Sequence, residues 1–379
     1  MKKQLLITSF RYPPENYPRA FRTGELVEEF LRRGYEIDLF IPDVVDFDVY
    51  KEERAVNYYL IESNRKSVKD IHNNDRISSL QSVKKSLRAV LSKSFRYIFG
   101  SNINEVQYGF RLYKELKKNI YNKQYDMIIS IGLPFYVHLA TSLYINKYKQ
   151  IGTKICDYGD PFYYNPAFKK MFFLKVLENW VIKHFDYISI PTAKSINYYT
   201  PYKQENRIKV IPQGFNFNKE YNNSYKKNDI TTFGYAGVFY KTIRNPDFLF
   251  EFLSSLNLDF RFIIFTRLSD PFVQELIQKY NSKLGEKLIV NNFIPRDNLI
   301  NEMIKMDFLI NLENEKSNQV PSKVIDYTLS KRPILSINKD NFNENEFLDF
   351  LNGKYDKAIK IKIEDYDIKN VVNQFEQLL

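Results

Sequence analysis

Ser322, Lys323 and Asp326 are the residues whose types and spacing say most. They lie in the run Gln319-Val320-Pro321-Ser322-Lys323-Val324-Ile325-Asp326-Tyr327, after the apolar strand candidate Phe308–Leu312 and before Arg332-Pro333. Proline suits the first turn of a helix, where its missing N–H would have no partner anyway. Ser322 and Lys323 then bring backbone N–H groups, a hydroxyl and an ammonium to the positive end of the helix dipole, an arrangement best suited to phosphate. Asp326, one turn on, is spaced to accept hydrogen bonds from a ribose diol. Together they describe a pocket for a nucleoside diphosphate. The plainer alternative is an ordinary amphipathic helix with a proline start.

Other candidates follow strand-like runs. Arg11-Tyr12-Pro13-Pro14-Glu15-Asn16-Tyr17-Pro18-Arg19 leads into a helix carrying Arg22. It lacks a glycine-rich turn, which argues against NAD or FAD. Arg19 or Arg22 could contact an anionic acceptor or a donor phosphate, or simply face solvent. In Asp157-Tyr158-Gly159-Asp160-Pro161-Phe162, Asp160 could orient or deprotonate a sugar hydroxyl. Alternatively Asp160 caps a helix that has Pro161 at its first position. Gly234-Tyr235-Ala236-Gly237 lets a ligand approach the backbone, with Lys241 and Arg244 close behind to meet its phosphates. Arg267 ends the next strand candidate, and Asn292-Phe293-Ile294-Pro295-Arg296 could hold a nucleobase edge with its backbone.

Positioning these residues requires two α/β domains. Strands are expected at Leu5–Phe10, Ile37–Ile41, Met127–Ile131, Lys154–Asp157 and Tyr187–Pro191, with a helix over Arg19–Arg33 ending at Gly34. A second series reads Thr232–Ala236, Phe260–Phe265, Leu288–Asn291, Phe308–Leu312 and Pro333–Ile337. Lys209–Asn216 and the polar stretch through Asp229 read as the linker. The 379 residues suffice for two domains, and 44% hydrophobic content excludes disorder. The single cysteine, Cys156, fits a reducing compartment, and with three histidines it argues against structural zinc. The N-terminal apolar run is too short for a signal peptide, and no window of about 18 apolar residues spans a bilayer. A soluble, cytoplasmic protein is therefore expected.

Nearly all of the net charge of +11 falls between Arg65 and Lys123, where fourteen Lys or Arg face four Asp or Glu. Within this block Leu80, Val83, Leu87, Leu91, Phe95 and Ile98 recur on one helical face, flanked by Lys84 and Arg88. A basic amphipathic helix over 80–99 can lie on an anionic membrane, or pack its stripe on the first domain. Nucleic acid is disfavoured as the partner because the basic block does not account for a phosphate site some 200 residues away.

The ordered set resembles a glycosyltransferase of the GT-B fold, similar to family 4, over nearly the whole chain. The resemblance rests on Tyr12-Pro13-Pro14 with Arg22, Asp157 to Pro161, Val210-Ile211-Pro212-Gln213-Gly214, Gly234 to Gly237 with Arg244, and Val320 to Tyr327. It implies two Rossmann-like domains with parallel sheets facing a central cleft. Residues 1–212 would bind the acceptor and 213–365 the nucleotide-sugar, with 366–379 crossing back as a helix. It implies a retaining hexosyltransferase that needs no metal and no cofactor beyond its nucleotide-sugar substrate. The acceptor would be lipid-linked or a growing surface polysaccharide of capsule or O-antigen type, and the enzyme peripheral on the inner face of the cytoplasmic membrane.

By that resemblance Arg244 takes the place of the family's phosphate-binding lysine, and Asp326 that of the second glutamate of its spaced acidic pair. Arg244 and Lys323 would stabilise the leaving diphosphate, and Asp160 would handle the acceptor. Gly237, Lys241, Arg267, Ile294, Pro321, Ser322 and Asp326 would bind donor; Arg19, Arg22 and Asp157 would contact acceptor or phosphate. The pattern departs at Asn318, where the first acid of the pair belongs, with Glu313 and Glu315 out of register. It departs again at Val238, where an arginine usually follows the glycine turn and Lys241 could supply the charge. His138 reads as structural. Asp46-Phe47-Asp48 and Asp365-Tyr366-Asp367 mimic the metal pair of the other glycosyltransferase fold, but neither follows a strand of such a domain. The alternatives are a nucleotide-sugar epimerase of the same architecture and a non-catalytic scaffold of a glycan-assembly complex.

Overall fold

The computed structural model describes the chain except residues 1, 16, 44–54, 64–91, 166–168, 218–220, 222–224, 243 and 314–321, and the side chains of Ser322 and Lys323. Asp46, Asp48, Glu315, Asn318, Pro321 and the 80–91 part of the expected basic helix therefore lie outside the described residues. The chain forms two compact units, Met1–Asn216 with Asp365–Leu379, and Phe217–Glu364.

In the first unit, β1 (Gln4–Ser9), β2 (Glu36–Pro42), β3 (Val56–Ile61), β4 (Met127–Ile131), β5 (Thr153–Asp157), β6 (Tyr187–Ile190) and β7 (Ile208–Val210) form one sheet. All pairings are parallel, in the order β3-β2-β1-β4-β5-β6-β7. A parallel sheet is covered on both faces, so its central strands read as unbroken apolar runs. Successive side chains then go to opposite faces. Leu5 and Ile7 pack with Leu26, Val27 and Phe30 of α1 (Pro18–Arg32) and with Val371 and Phe375 of α11 (Ile368–Glu376). Leu6 and Ile128 pack on the other face with Leu112 and Leu116 of α3 (Ile103–Asn119) and Tyr144 of α4 (Phe135–Tyr148). A helical stretch at residues 92–99, α2, precedes α3, whose start is fixed by reciprocal capping between Asn102 and Glu105. α5 spans Phe173–Lys183. The terminal helix is held by Arg33, which donates to Asn373 Oδ1 at 2.7 Å, and by Tyr35, whose hydroxyl donates to Glu376 at 2.9 Å. Asp367 caps that helix by accepting from the Lys369 N–H, which accounts for the second Asp-x-Asp run.

In the second unit, β8 (Thr232–Ala236), β9 (Arg261–Thr266), β10 (Leu288–Asn292), β11 (Phe308–Leu312) and β12 (Ile334–Ile337) form a parallel sheet ordered β10-β9-β8-β11-β12. Its helices are α6 (Asp247–Ser255), α7 (Pro271–Leu284), α8 (Arg296–Ile304), α9 (Ser322–Leu329) and α10 (Glu344–Leu351). Phe233 stacks on Phe262 and on Phe308, each at 4.8 Å between ring centroids, so aromatics knit three adjacent strands. No helix among the described residues is long and apolar enough to cross a membrane.

Both sheets reverse direction beside their first strand, between β1 and β4 and between β8 and β11. Connections leaving such a pair go to opposite faces, opening a crevice at the carboxyl ends of the strands. The candidate loops after β1 and β8 leave these two crevices.

Candidate functional site

In the first unit Arg19 and Arg22, neighbours on one side of α1, converge on Asp157 at the end of β5. Arg22 donates through Nη2 to Asp157 Oδ1 at 2.8 Å, and Arg19 Nη2 pairs with Oδ2. Ser189 donates a further hydrogen bond to Oδ1, and Arg22 also reaches the carbonyls of Ile211 and Pro212. Burial alone would raise the Asp157 carboxyl, but the guanidiniums of Arg22 and Arg19 outweigh it and hold it at about 2. Asp157 is 1% exposed and Arg22 2%. Their polar atoms are turned to protein, and they tie α1 to β5 and to the chain after β7. Arg19 bonds the carbonyls of Gly132 and Asp157, linking the loops that follow β4 and β5.

Asp160 is half-buried in a bend, and its charge favours the protonated Arg19. No helix begins beside it, since α5 starts only at Phe173; the capping alternative therefore falls away. His138 is buried with Nδ1 2.8 Å from Ser130 Oγ, and burial pushes its pKa down to about 3. It stays neutral at physiological pH and packs against Gly132, where a Cβ would come within 2.6 Å of Nε2.

A cavity of about 300 Å³ opens on this same end of the sheet, lined among others by Arg11, Tyr17, Arg96, Phe135, Phe162 and Lys170. The rings of Phe135 and Phe162 stack at 4.0 Å and make one wall. Lys170 stands 5.5 Å from the Phe162 centroid, and Arg11 lies 4.2 Å over Tyr17 and pairs with Glu15. Cations over aromatic faces suit a sugar ring bearing an anionic group. Sequence reasoning missed this lining because its members come from α2, from the start of α4 and from two separate loops. No local pattern joins them.

In the second unit the end of β8 is pinned by Tyr327 of α9. Its hydroxyl accepts from the Ala236 N–H at 2.7 Å and donates to the Ala236 carbonyl at 3.1 Å. Gly237 follows with φ +148°, a conformation favouring glycine, and its N–H donates to the Phe265 carbonyl at 2.9 Å. Replacing Tyr327 by phenylalanine leaves the Ala236 N–H unpaired and buried. A loss of about 1–3 kcal/mol in stability is expected, read by urea denaturation.

Arg244 donates to the Val238 carbonyl at 3.3 Å and exchanges backbone hydrogen bonds with Tyr240, closing a short loop that leaves Lys241 exposed at its turn. Arg244, Glu313 and Lys339 border a recess of about 10 Å³ beside the ends of β11 and β12. Glu313 is already engaged there, accepting from Ser336 at 2.7 Å and from Asn338 at 3.1 Å. Arg267 is exposed at the carboxyl end of β9. α9 starts at Ser322. Asp326 receives Arg296 Nε at 2.8 Å and Nη2 at 2.7 Å, both on Oδ1. Burial raises the Asp326 pKa, against the opposing effect of Arg296. A ribose contact at Asp326 would therefore have to share that carboxylate with Arg296, a partner thirty residues away that the sequence does not single out. A second cavity, of about 450 Å³, is lined by Phe265, Asn291 and Ile294 with Asn298 and Asn301 of α8. One aromatic and several carboxamides suit a flat heterocycle. Among the described residues no group of three or more His, Cys, Asp or Glu could hold a metal ion.

No protein-family model and no curated protein matches the sequence. Solved structures do match in shape. The lipopolysaccharide outer core galactosyltransferase WaaB, in its apo form, is similar over 100% of both chains, with a TM-score of 0.61 and 13% identity. TarM is similar over 100% of this chain and 99% of its own, with a TM-score of 0.62 and 11% identity. HepE of Anabaena, in complex with UDP-glucose, covers 99% of this chain and 98% of its own, with a TM-score of 0.59 and 9% identity. At such identities the likeness concerns the backbone, and the fold is that of the GT-B glycosyltransferases.

Proposed function

We propose that the protein is a retaining, metal-independent glycosyltransferase that moves a hexose from a nucleoside-diphosphate sugar to a lipid-linked or growing surface-polysaccharide acceptor. The observation that supports this reading is the order of the second sheet, whose switch point falls between β8 and β11. Gly237 follows β8, Arg244 stands in the loop beyond it, and α9 follows β11. The diphosphate would lie against the N-terminus of α9 at Ser322, and the base in the cavity beside Ile294. As the bond from the anomeric carbon to the diphosphate oxygen breaks, negative charge grows on the leaving group. Arg244 and Lys323 would stabilise it, the role a metal ion plays in other diphosphate chemistry. The acceptor hydroxyl forms the new bond and passes its proton to Asp160. The basic, aromatic cavity of the first unit supports a negatively charged acceptor, and the charged block before α3 supports contact with an anionic membrane surface.

The test is product analysis with UDP-glucose, UDP-galactose, UDP-N-acetylglucosamine and GDP-mannose, with and without a lipid-linked glycan extract. A product that keeps the donor's anomeric configuration and forms only with acceptor is expected. An altered sugar nucleotide formed without acceptor would make the protein an epimerase. No use of any donor would make it a scaffold.

A further inference from the structure

We propose that Glu178 of α5 is a positioning residue, which holds the loop at residues 158–163 and with it Asp160 and the Phe162 ring where the acceptor would meet them. This rests on the reading of Asp160 and the adjoining cavity as the acceptor's side of the reaction. Glu178 shares the inward face of α5 with Leu174, Val181 and Ile182, so a carboxyl stands in the middle of an apolar stripe. It is 1% exposed, at a position where a leucine would pack without the cost of burying a charge. Its Oε2 accepts from the Tyr163 N–H at 3.1 Å. At the other end of the loop the Tyr158 N–H donates to the Ser189 carbonyl of β6 at 2.9 Å. Asp160 and Phe162 lie between these two anchors, and Phe162 carries the stack on Phe135 that walls the cavity of about 300 Å³. Only the Tyr163 anchor depends on a group that titrates.

Glu178 Oε1 and the hydroxyls of Tyr158, Tyr199 and Tyr202 are buried without a hydrogen-bond partner among the described residues. The rings of Tyr158 and Tyr199 stand 5.0 Å apart, and all three phenols feel the charge of Glu178. Cys156 of β5 and Lys170 face it too, and His138 of α4 lies behind Tyr158 at 4.4 Å between rings. Burial pushes the Glu178 carboxyl from its ordinary 4.5 up to about 7, against the opposing N–H groups of Tyr163 and Phe162. Burial also pushes the three phenols and the thiol up and His138 down to about 3, so none of them titrates inside that interval. Lifting the loop lets water reach Glu178 and returns its carboxyl toward the ordinary value. The closed loop therefore binds the proton more tightly and is favoured at low pH. Its open population should grow by up to about tenfold per pH unit from about 4.5 to about 7, then level off.

The test is hydrogen–deuterium exchange of the full-length protein, with rates divided by their intrinsic values. It is read by mass spectrometry on a peptide covering residues 158–165 and on one covering β4. In the wild type the slow amides of the loop peptide should gain rate across that interval more steeply than those of β4. Glu178→Gln keeps an oxygen for the Tyr163 N–H but has no proton to lose, so its loop should stay protected with no such slope. Glu178→Ala should exchange about tenfold faster or more at the loop throughout, with β4 still protected. A flat wild-type profile at the loop would overturn the proposal, as would a Glu178→Gln slope equal to the wild type's. Equal slopes at the loop and at β4 would also overturn it and leave Glu178 a matter of global stability. These results need no turnover, so they stand apart from any failure of the transferase reading. With an accepted donor, Glu178→Ala should raise the acceptor KM about tenfold or more at an unchanged donor KM, and Glu178→Gln should restore it. An acceptor KM that does not move would sink the positioning role.

Discussion

Alanine at Arg244 or at Lys323 is expected to lower kcat by about 100-fold or more, the scale of losing one preorganised contact to charge that develops in the transition state. The loss should fall on kcat more than on KM, because charge on the leaving diphosphate grows as the glycosidic bond breaks. Arg244 stands in a loop closed by its own backbone pairing with Tyr240, and its guanidinium is already hydrogen-bonded to Val238. It is therefore held in place before substrate arrives. Arg244→Lys should recover part of the rate, since it keeps the charge but loses the planar fork. Steady-state kinetics with the accepted donor checks this. Near-wild-type rates in both alanine variants would remove these residues from the mechanism.

The second large effect concerns stability. Asp157→Ala is expected to cost about 3–5 kcal/mol, because it leaves the guanidiniums of Arg19 and Arg22 buried without their counter-charge. The same carboxylate sets an acid limit. Its folded pKa of about 2 lies below the ordinary unfolded value, so its stabilisation is present above that value. It is lost as the pH falls from about 4 through about 2. Urea denaturation of the variant at neutral pH, and of the wild type down the acid range, measures both. A loss under about 1 kcal/mol would mean that the triad is relaxed or hydrated in solution.

Much of the scaffold is readable from side-chain patterns alone. Met127–Ile131, Thr232–Ala236 and Phe308–Leu312 are strands at the expected residues, because a strand buried on both faces must be apolar throughout. The two strands that escaped notice lie at edges. β3 buries only Val56 and Ile61 of its six residues, and β7 has three residues that look like the start of a linker. The charged residues are harder to interpret. Sequence shows that Arg22 and Asp157 are both suited to ligand contact, but not that they are aimed at each other across 135 residues. Asp326 and Arg296 pose the same difficulty, as does the cavity wall built from Arg96, Phe162 and Lys170. Candidate loops follow from strand ends, whereas pairings between loops arise only once the sheet has set their order.

The central claim is that the second unit binds a nucleoside diphosphate. It is tested most directly by calorimetric titration of the purified protein, without metal, with UDP, GDP, ADP and CMP, alongside Asp326→Ala. Micromolar binding of one diphosphate, weakened in the variant, is the predicted result and names the donor's nucleotide. The absence of binding to any of the four would contradict the account.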